Sequence, residues 1–276
     1  MNTSLGFRDP GVAGSFYSKD KLILERELSM LLEASPILNF PRSIKAIIVP
    51  HAGYLYSGGV AVRAYSQIKN IDYKKVIVIA PSHVDNFSFS SIYRGLGYKT
   101  PLGSIHLDTI LAKKLTEYHI DIRFDEKGHS ASEHSLEVQL PILQWCLGEF
   151  KLIPISMGKQ NLEQIEILSK AITKVVPKEN TLIVASSNLS QKHPDSEARL
   201  LDKVAVDDIS QFDEGNLWKD IQSGNTEMSG YGPVLVAMIT AKAMGATEAK
   251  ILLYRNSSEI SNKRDQVEGY LSAVLY

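Results

Sequence analysis

Short, almost uninterrupted apolar runs alternate along this chain with longer stretches whose apolar positions recur every three or four residues. The short runs are 44–50 (IKAIIVP), 74–81 (KKVIVIAP), 150–156 (FKLIPIS), 181–186 (TLIVAS), 250–256 (KILLYRN) and 267–276 (VEGYLSAVLY), with a weaker one at 87–93 (FSFSSIY). A strand apolar on both faces is covered on both faces, as happens inside a parallel sheet between helices. Helical periodicity marks 20–34, 58–69, 107–118, 132–147, 161–175, 196–210 and 232–245. The alternation predicts an α/β fold with a central, mostly parallel or mixed sheet flanked by helices. Asp108 precedes the 107–118 helix body, and Ser130 with Glu133 has the capping-box spacing. Pro141 predicts a kink or a shortening of the 132–147 helix. No linker or repeat divides the chain, so residues 1–276 read as one domain.

Four of the runs end in polar or small residues: His51, then Ser82 and His83, then Met157 and Gly158, then Ser187 and Asn188. In open α/β sheets ligands bind beyond the carboxyl ends of the strands, so parallel strands would gather these residues at one edge. His51 and His83 each follow a strand and a proline, at matching positions. On neighbouring strands they would offer two imidazoles to a metal. The alternative is that each only bonds a loop backbone. Tyr54 and Tyr56, in HAGYLYSGG, either donate hydrogen bonds to a ligand or pack beneath the loop. That loop matches neither the P-loop nor the dinucleotide fingerprint.

If 132–147 is helical from its start, Glu133, His134 and Glu137 share a face. His134 and Glu137 then become candidates for general acid–base work. The alternative is a solvated helix start with carboxylates favoured by the dipole. In MSGYGP (228–233) an apolar helix begins, offering either free N–H groups for an anion or ordinary capping by Ser229.

Composition narrows the partners. Thirty basic against thirty-one acidic residues give a net charge of −1, which lacks the basic excess of a nucleic-acid binder. The same balance argues against attachment to an anionic membrane. No run reaches the 18 or so apolar residues of a membrane span. The first residues show neither a basic nor an apolar leader segment. One cysteine, Cys146, excludes an internal disulfide and any multi-cysteine zinc site, and it reads as an ordinary buried thiol. These features point to the cytoplasm.

The blocks RDPGVAGSFYS, VPHAGYLYSG, APSHV, EHSLEVQLPILQ, PISMG, ASSNLS, GYGP and GYLSAVLY give the chain a resemblance to the Memo-like family over almost its full length. The resemblance implies a fold similar to class III extradiol dioxygenases, the non-haem iron enzymes that cleave catechol rings. It puts His51 and His83 on the two histidines that correspond to dioxygenase metal ligands. Three positions depart from the family pattern. Asn188 stands where Asp is common, Gln191 where His is common, and Ser229 where a cysteine is the usual third ligand candidate.

Neutral Asn and Ser ligate more weakly than carboxylate and thiolate, and Gln cannot carry a proton near neutral pH. The departures weigh against dioxygenase catalysis. The expectation is a pocket for a small molecule or peptide, lined by Tyr54, Asn188, Gln191 and Ser229, over a degenerate metal site. The alternative is a non-haem iron or copper redox enzyme whose sphere is completed by His134, Glu137 or water. A third reading is a structural remnant. The resemblance also implies a protein partner in a radical-SAM-associated system.

Overall fold

The computed structural model describes residues 6–276. The leader expectation rests partly on residues 1–5, which lie outside the described residues. In chain order the first half carries β1 (Phe7–Arg8), α1 (Lys21–Glu33), β2 (Ala46–Val49), a π-helical turn at Tyr54–Gly58, α2 (Gly59–Ile68), β3 (Lys75–Pro81) and β4 (Ser90–Ile92). Next come β5 (Gly97–Thr100), β6 (Gly103–His106), α3 (Thr109–Tyr118), β7 (Ile122–Phe124), α4 (Gln139–Leu147) and β8 (Lys151–Met157). The remainder is α5 (Leu162–Val175), β9 (Thr181–Ser186), β10 (Gln191–His193), α6 (Asp195–Ser210), α7 (Glu214–Ser223), α8 (Tyr231–Ala243), β11 (Ala249–Asn256), α9 (Ser258–Ser261) and β12 (Val267–Leu275).

A nine-stranded mixed sheet runs β10-β12-β2-β9-β3-β8-β4-β7, with β11 also paired to β12. The central four strands, β2, β9, β3 and β8, are mutually parallel. β12 joins β2 antiparallel, and β4 joins β8 antiparallel. A separate three-stranded sheet, β1-β5-β6, carries the N-terminal segment. Alternate residues of the central strands feed two cores, which is why those runs are apolar at nearly every position. Ile48, Ile77, Ile155 and Ile183 pack toward α3, α5, α6 and α8. Ile47, Val49, Val78 and Val184 pack toward α1, α2 and α4. Cys146 is buried in the second layer, and burial pushes its thiol up to about 12. No described helix is long and apolar enough to cross a membrane.

Three expectations are corrected. The 132–147 helix begins only at Gln139; residues 131–138 are not helical, with turns at 131–132 and 135–138. Pro141 falls in the first helical turn, where its missing N–H costs no intrahelical bond. His51 and His83 are not on neighbouring strands, because β9 lies between β2 and β3. The 87–93 run is a strand only over Ser90–Ile92. Two helices carry no prior expectation: α7 buries a single apolar residue, Leu217, so its stripe is too thin to mark it, and α9 is only four residues long.

Candidate metal centre

Because β2 and β3 are both parallel to β9, their carboxyl ends project to the same edge of the sheet. His51 leaves β2 and His83 leaves β3, and their Nε2 atoms meet 3.1 Å apart across the end of β9. A third imidazole completes the group. His134 stacks on His83 with ring centroids 5.1 Å apart and stands edge-on to His51 at 5.7 Å. One ligand nitrogen from each of the three lies within 4.8 Å of the others. Burial is graded: His51 is buried, His134 intermediate and His83 exposed.

The tautomer of His51 follows from its neighbours. Ser186 Oγ donates its single proton to the Ser135 carbonyl at 2.6 Å and accepts from Gln139 Nε2 at 2.8 Å. Its 3.0 Å contact with His51 Nδ1 is therefore one in which the imidazole N–H donates. The lone pair is left on Nε2, facing His83 and the Ser229 hydroxyl, itself 3.1 Å away. Burial holds His51 well below the ordinary histidine range, with His83 and His134 adding to the effect. Burial, then His83, lowers His134. The neutral form is the ligating form.

The two carboxylates of the 128–141 segment position this site and do not join it. Glu133 Oε2 accepts from the backbone N–H of His83 at 2.7 Å and of Val84 at 3.3 Å, fixing the turn after β3. Glu137 is turned away. It accepts from Arg8 Nη1 at 2.5 Å, Gly11 N at 2.9 Å, Val12 N at 3.0 Å and Tyr17 Oη at 2.7 Å. The shared helical face expected for Glu133, His134 and Glu137 fails because that stretch is not helical. Glu137 is consequently no proton carrier for the cluster. Arg8 also donates to the carbonyls of His129, Ser130 and Glu133, each at 2.7 Å, so it clamps the loop that carries His134. Gly11 fits only without a side chain, since a Cβ there would sit 1.7 Å from the Ala131 carbonyl oxygen.

Other residues fall into place around the three imidazoles. Asn188 holds the His51 backbone through Oδ1, at 2.8 Å, and donates through Nδ2 to Glu268 at 3.0 Å. Ser229 Oγ receives the Asn188 N–H at 3.0 Å. Neither reading of the α8 start is met. Gly230 N–H donates to Ser187 Oγ and Gly232 N–H to Gln160 Oε1, so these donors are taken, and the Ser229 hydroxyl faces His51 instead of capping. Tyr54 is buried with its hydroxyl on the Val138 carbonyl at 2.7 Å, so it supports the loop and is not among the residues that border the cleft beside His134. Tyr56 lines it instead.

The cleft, of about 690 Å³, is bordered by His134, Asn188, Gln191, Tyr56, Glu268 and Tyr270, among others. Glu268 escaped notice in the sequence, although the one charged residue in its strand was the available signal. Burial raises it above the usual carboxylate range, opposed by its bonds from Asn188 and Tyr270. Gln139 and Ser186 were also missed: both lie within the EHSLEVQLPILQ and ASSNLS blocks, but as neutral polar residues at element ends they carry no chemistry of their own to single them out.

A family model described as Memo-like protein matches residues 8–274. A MEMO1 family protein of Methanothermobacter thermautotrophicus is 32% identical over 272 residues, covering 95% of this chain and 98% of its own. One from Aquifex aeolicus is 35% identical over 269 residues, covering 97% and 98%. Among solved structures, an uncharacterized protein from Escherichia coli K12 superposes with a TM-score of 0.57 at 13% identity, over 85% of this chain and 100% of that one. That likeness concerns the fold alone.

Proposed function

The chain belongs to the Memo-like family, and on that premise we propose that His51, His83 and His134 hold one first-row metal ion, iron or copper. The ion would sit at the base of a cleft that receives a small molecule or a peptide segment. The observation that carries this reading is the approach of three imidazole nitrogens to within 4.8 Å, drawn from three separate segments. Three neutral nitrogen donors suit iron, copper or zinc better than magnesium or calcium. The Nδ1–H of His51 bonded to Ser186 is the outer support that a metal-bound histidine characteristically has.

When bound, such an ion supplies Lewis acidity, and iron or copper can also exchange electrons. The protein's own share is to orient and to exclude. Glu133 sets the His83 backbone, Asn188 sets the His51 backbone, and Arg8 sets the loop of His134. Ser229 occupies the position beside His51 Nε2, its hydroxyl oxygen 3.1 Å from that nitrogen. The presence of His134 as a third donor favours the redox-enzyme alternative over a site with only two ligands. The reading further takes residues 1–276 as one domain, supported by a sheet that draws strands from Ala46 to Leu275, and places it in the cytoplasm on its lone cysteine.

Metal content after purification without chelators tests the proposal. About one equivalent of iron or copper is expected, with His51→Ala and His134→Ala each removing it. Metal retained by His134→Ala would return the site to two histidines. Oxygen uptake with a catechol, in the iron-loaded and copper-loaded protein, then separates the redox enzyme from the binding protein.

A further inference from the structure

The cleft beside His134 is bordered by two lysines, Lys192 and Lys263. Both are exposed. Some lysines of the described residues pair with carboxylates, Lys99 with Asp9 and Lys242 with Glu214 among them, and Lys192 and Lys263 are among those that do not. They come from neighbouring segments. Lys192 lies on β10, which pairs with β12, and Lys263 lies in the turn that leads into β12.

Each backbone is held in place. Glu227 Oε1 accepts from Gln191 N at 2.8 Å and lies 2.8 Å from His193 Nε2, stapling β10 on both sides of Lys192, whose φ is +62°. Asn262, also left-handed, closes α9 by donating to the Ser258 carbonyl at 2.9 Å, and Lys263 N donates to Ser261 Oγ at 3.2 Å. A non-glycine residue in that region stores strain that its surroundings must support.

The acid that borders the cleft is Glu268, and both its oxygens are engaged, one by Asn188 Nδ2 and the other by Tyr270 Oη. It is therefore no free partner for either ammonium. Two lysines without a carboxylate partner thus border one cleft, and the chain as a whole carries −1. We infer that this cleft binds a small organic oxyanion, a carboxylate or a phosphate group, whose charged end is held between Lys192 and Lys263. Phe16, Tyr56 and Tyr270 offer apolar surface for the body of such a molecule. The inference rests on the cleft of the proposed function but not on a metal being held there.

Calorimetric titration of the full, chelator-treated chain tests it, with inorganic phosphate in one arm and oxalate in the other. Saturable binding is expected in at least one arm, weakening as salt is added. The Lys192→Gln/Lys263→Gln double variant should bind about tenfold or more weakly, as loss of charge-assisted bonds implies. Lys151→Gln, in a separate cleft, should bind as the parent does. The arm that binds identifies the anion class. Absence of saturable binding in both arms, or equal affinity in parent and double variant, overturns the inference. Anion binding without metal binding would sink the three-histidine reading and leave this one standing; the reverse result would do the opposite.

Discussion

Replacing Glu137 by Gln should be among the most costly polar substitutions in this protein. The Glu137 side chain is fully buried, and it receives four hydrogen bonds, one from the buried guanidinium of Arg8. Glutamine keeps the volume but removes the charge, and its amide N–H₂ group opposes donors where an acceptor is needed. Arg8 is then left buried without its anion. Breaking a buried ion pair in this way costs roughly 3–5 kcal/mol. That is a large fraction of the roughly 5–15 kcal/mol that holds a typical domain folded. Lys99→Ala, which breaks the exposed pair with Asp9, should cost no more than about 1 kcal/mol.

Urea unfolding followed by circular dichroism measures both variants, with an unchanged slope confirming that the midpoint shift reports stability. Because Arg8 also grips three carbonyls of the 129–133 loop, metal affinity should fall in Glu137→Gln, through His134, although Glu137 touches no imidazole. A loss below about 1 kcal/mol would refute the view that this buried pair organises the loop. Unchanged metal affinity in a clearly destabilised variant would refute the coupling to His134.

Other expectations separate residues that the sequence treats alike. His51→Ala should cost about 1–3 kcal/mol, since it strips Ser186 of a buried partner, whereas exposed His83→Ala should cost under about 1 kcal/mol; equal losses would contradict the assigned burial. Burial lowers His51, His134 and His129, the last to about 3, so the unfolded chain binds protons that the folded chain refuses. Stability should therefore be full above about pH 6.5 and fall as pH drops, for His129 down to about pH 3, by at most about 1.4 kcal/mol per pH unit per histidine. Urea midpoints at neutral and mildly acidic pH check this, and a flat profile would contradict it. Ser229→Cys places a thiol beside His51 Nε2 and should tighten metal binding in titration, because a thiolate is a far better ligand than a hydroxyl. Asn188→Asp should not help, because it loses its donor bond and faces Glu268 with a second carboxylate; tighter metal in that variant would argue against the Asn188–Glu268 contact.

Much of the architecture was written locally. The runs at 44–50, 74–81, 150–156 and 181–186 are apolar at successive positions because both sheet faces are covered, and that property belongs to each segment by itself. His51, His83 and Asn188 could be placed at one edge for the same reason: parallel strands end on the same side. What no local pattern held was the partner of each polar group. The letters of EHSLEVQL are compatible with a helix, and only the Arg8–Glu137 pair, joining residues 129 positions apart, shows why the stretch takes turns instead.

The third imidazole has the same origin. His134 reaches His51 and His83 through a loop clamped by the N-terminal segment, not through a strand end of its own. Whether Glu268 answers Asn188, and whether Ser229 faces a ligand or a helix end, depends likewise on segments 80 and 41 residues apart being brought together. Apolar periodicity reports which face a residue turns to the core, because burial acts on each side chain separately. Hydrogen bonds and ion pairs are directional and pairwise, so they are settled only when the chain has closed and both partners are in place.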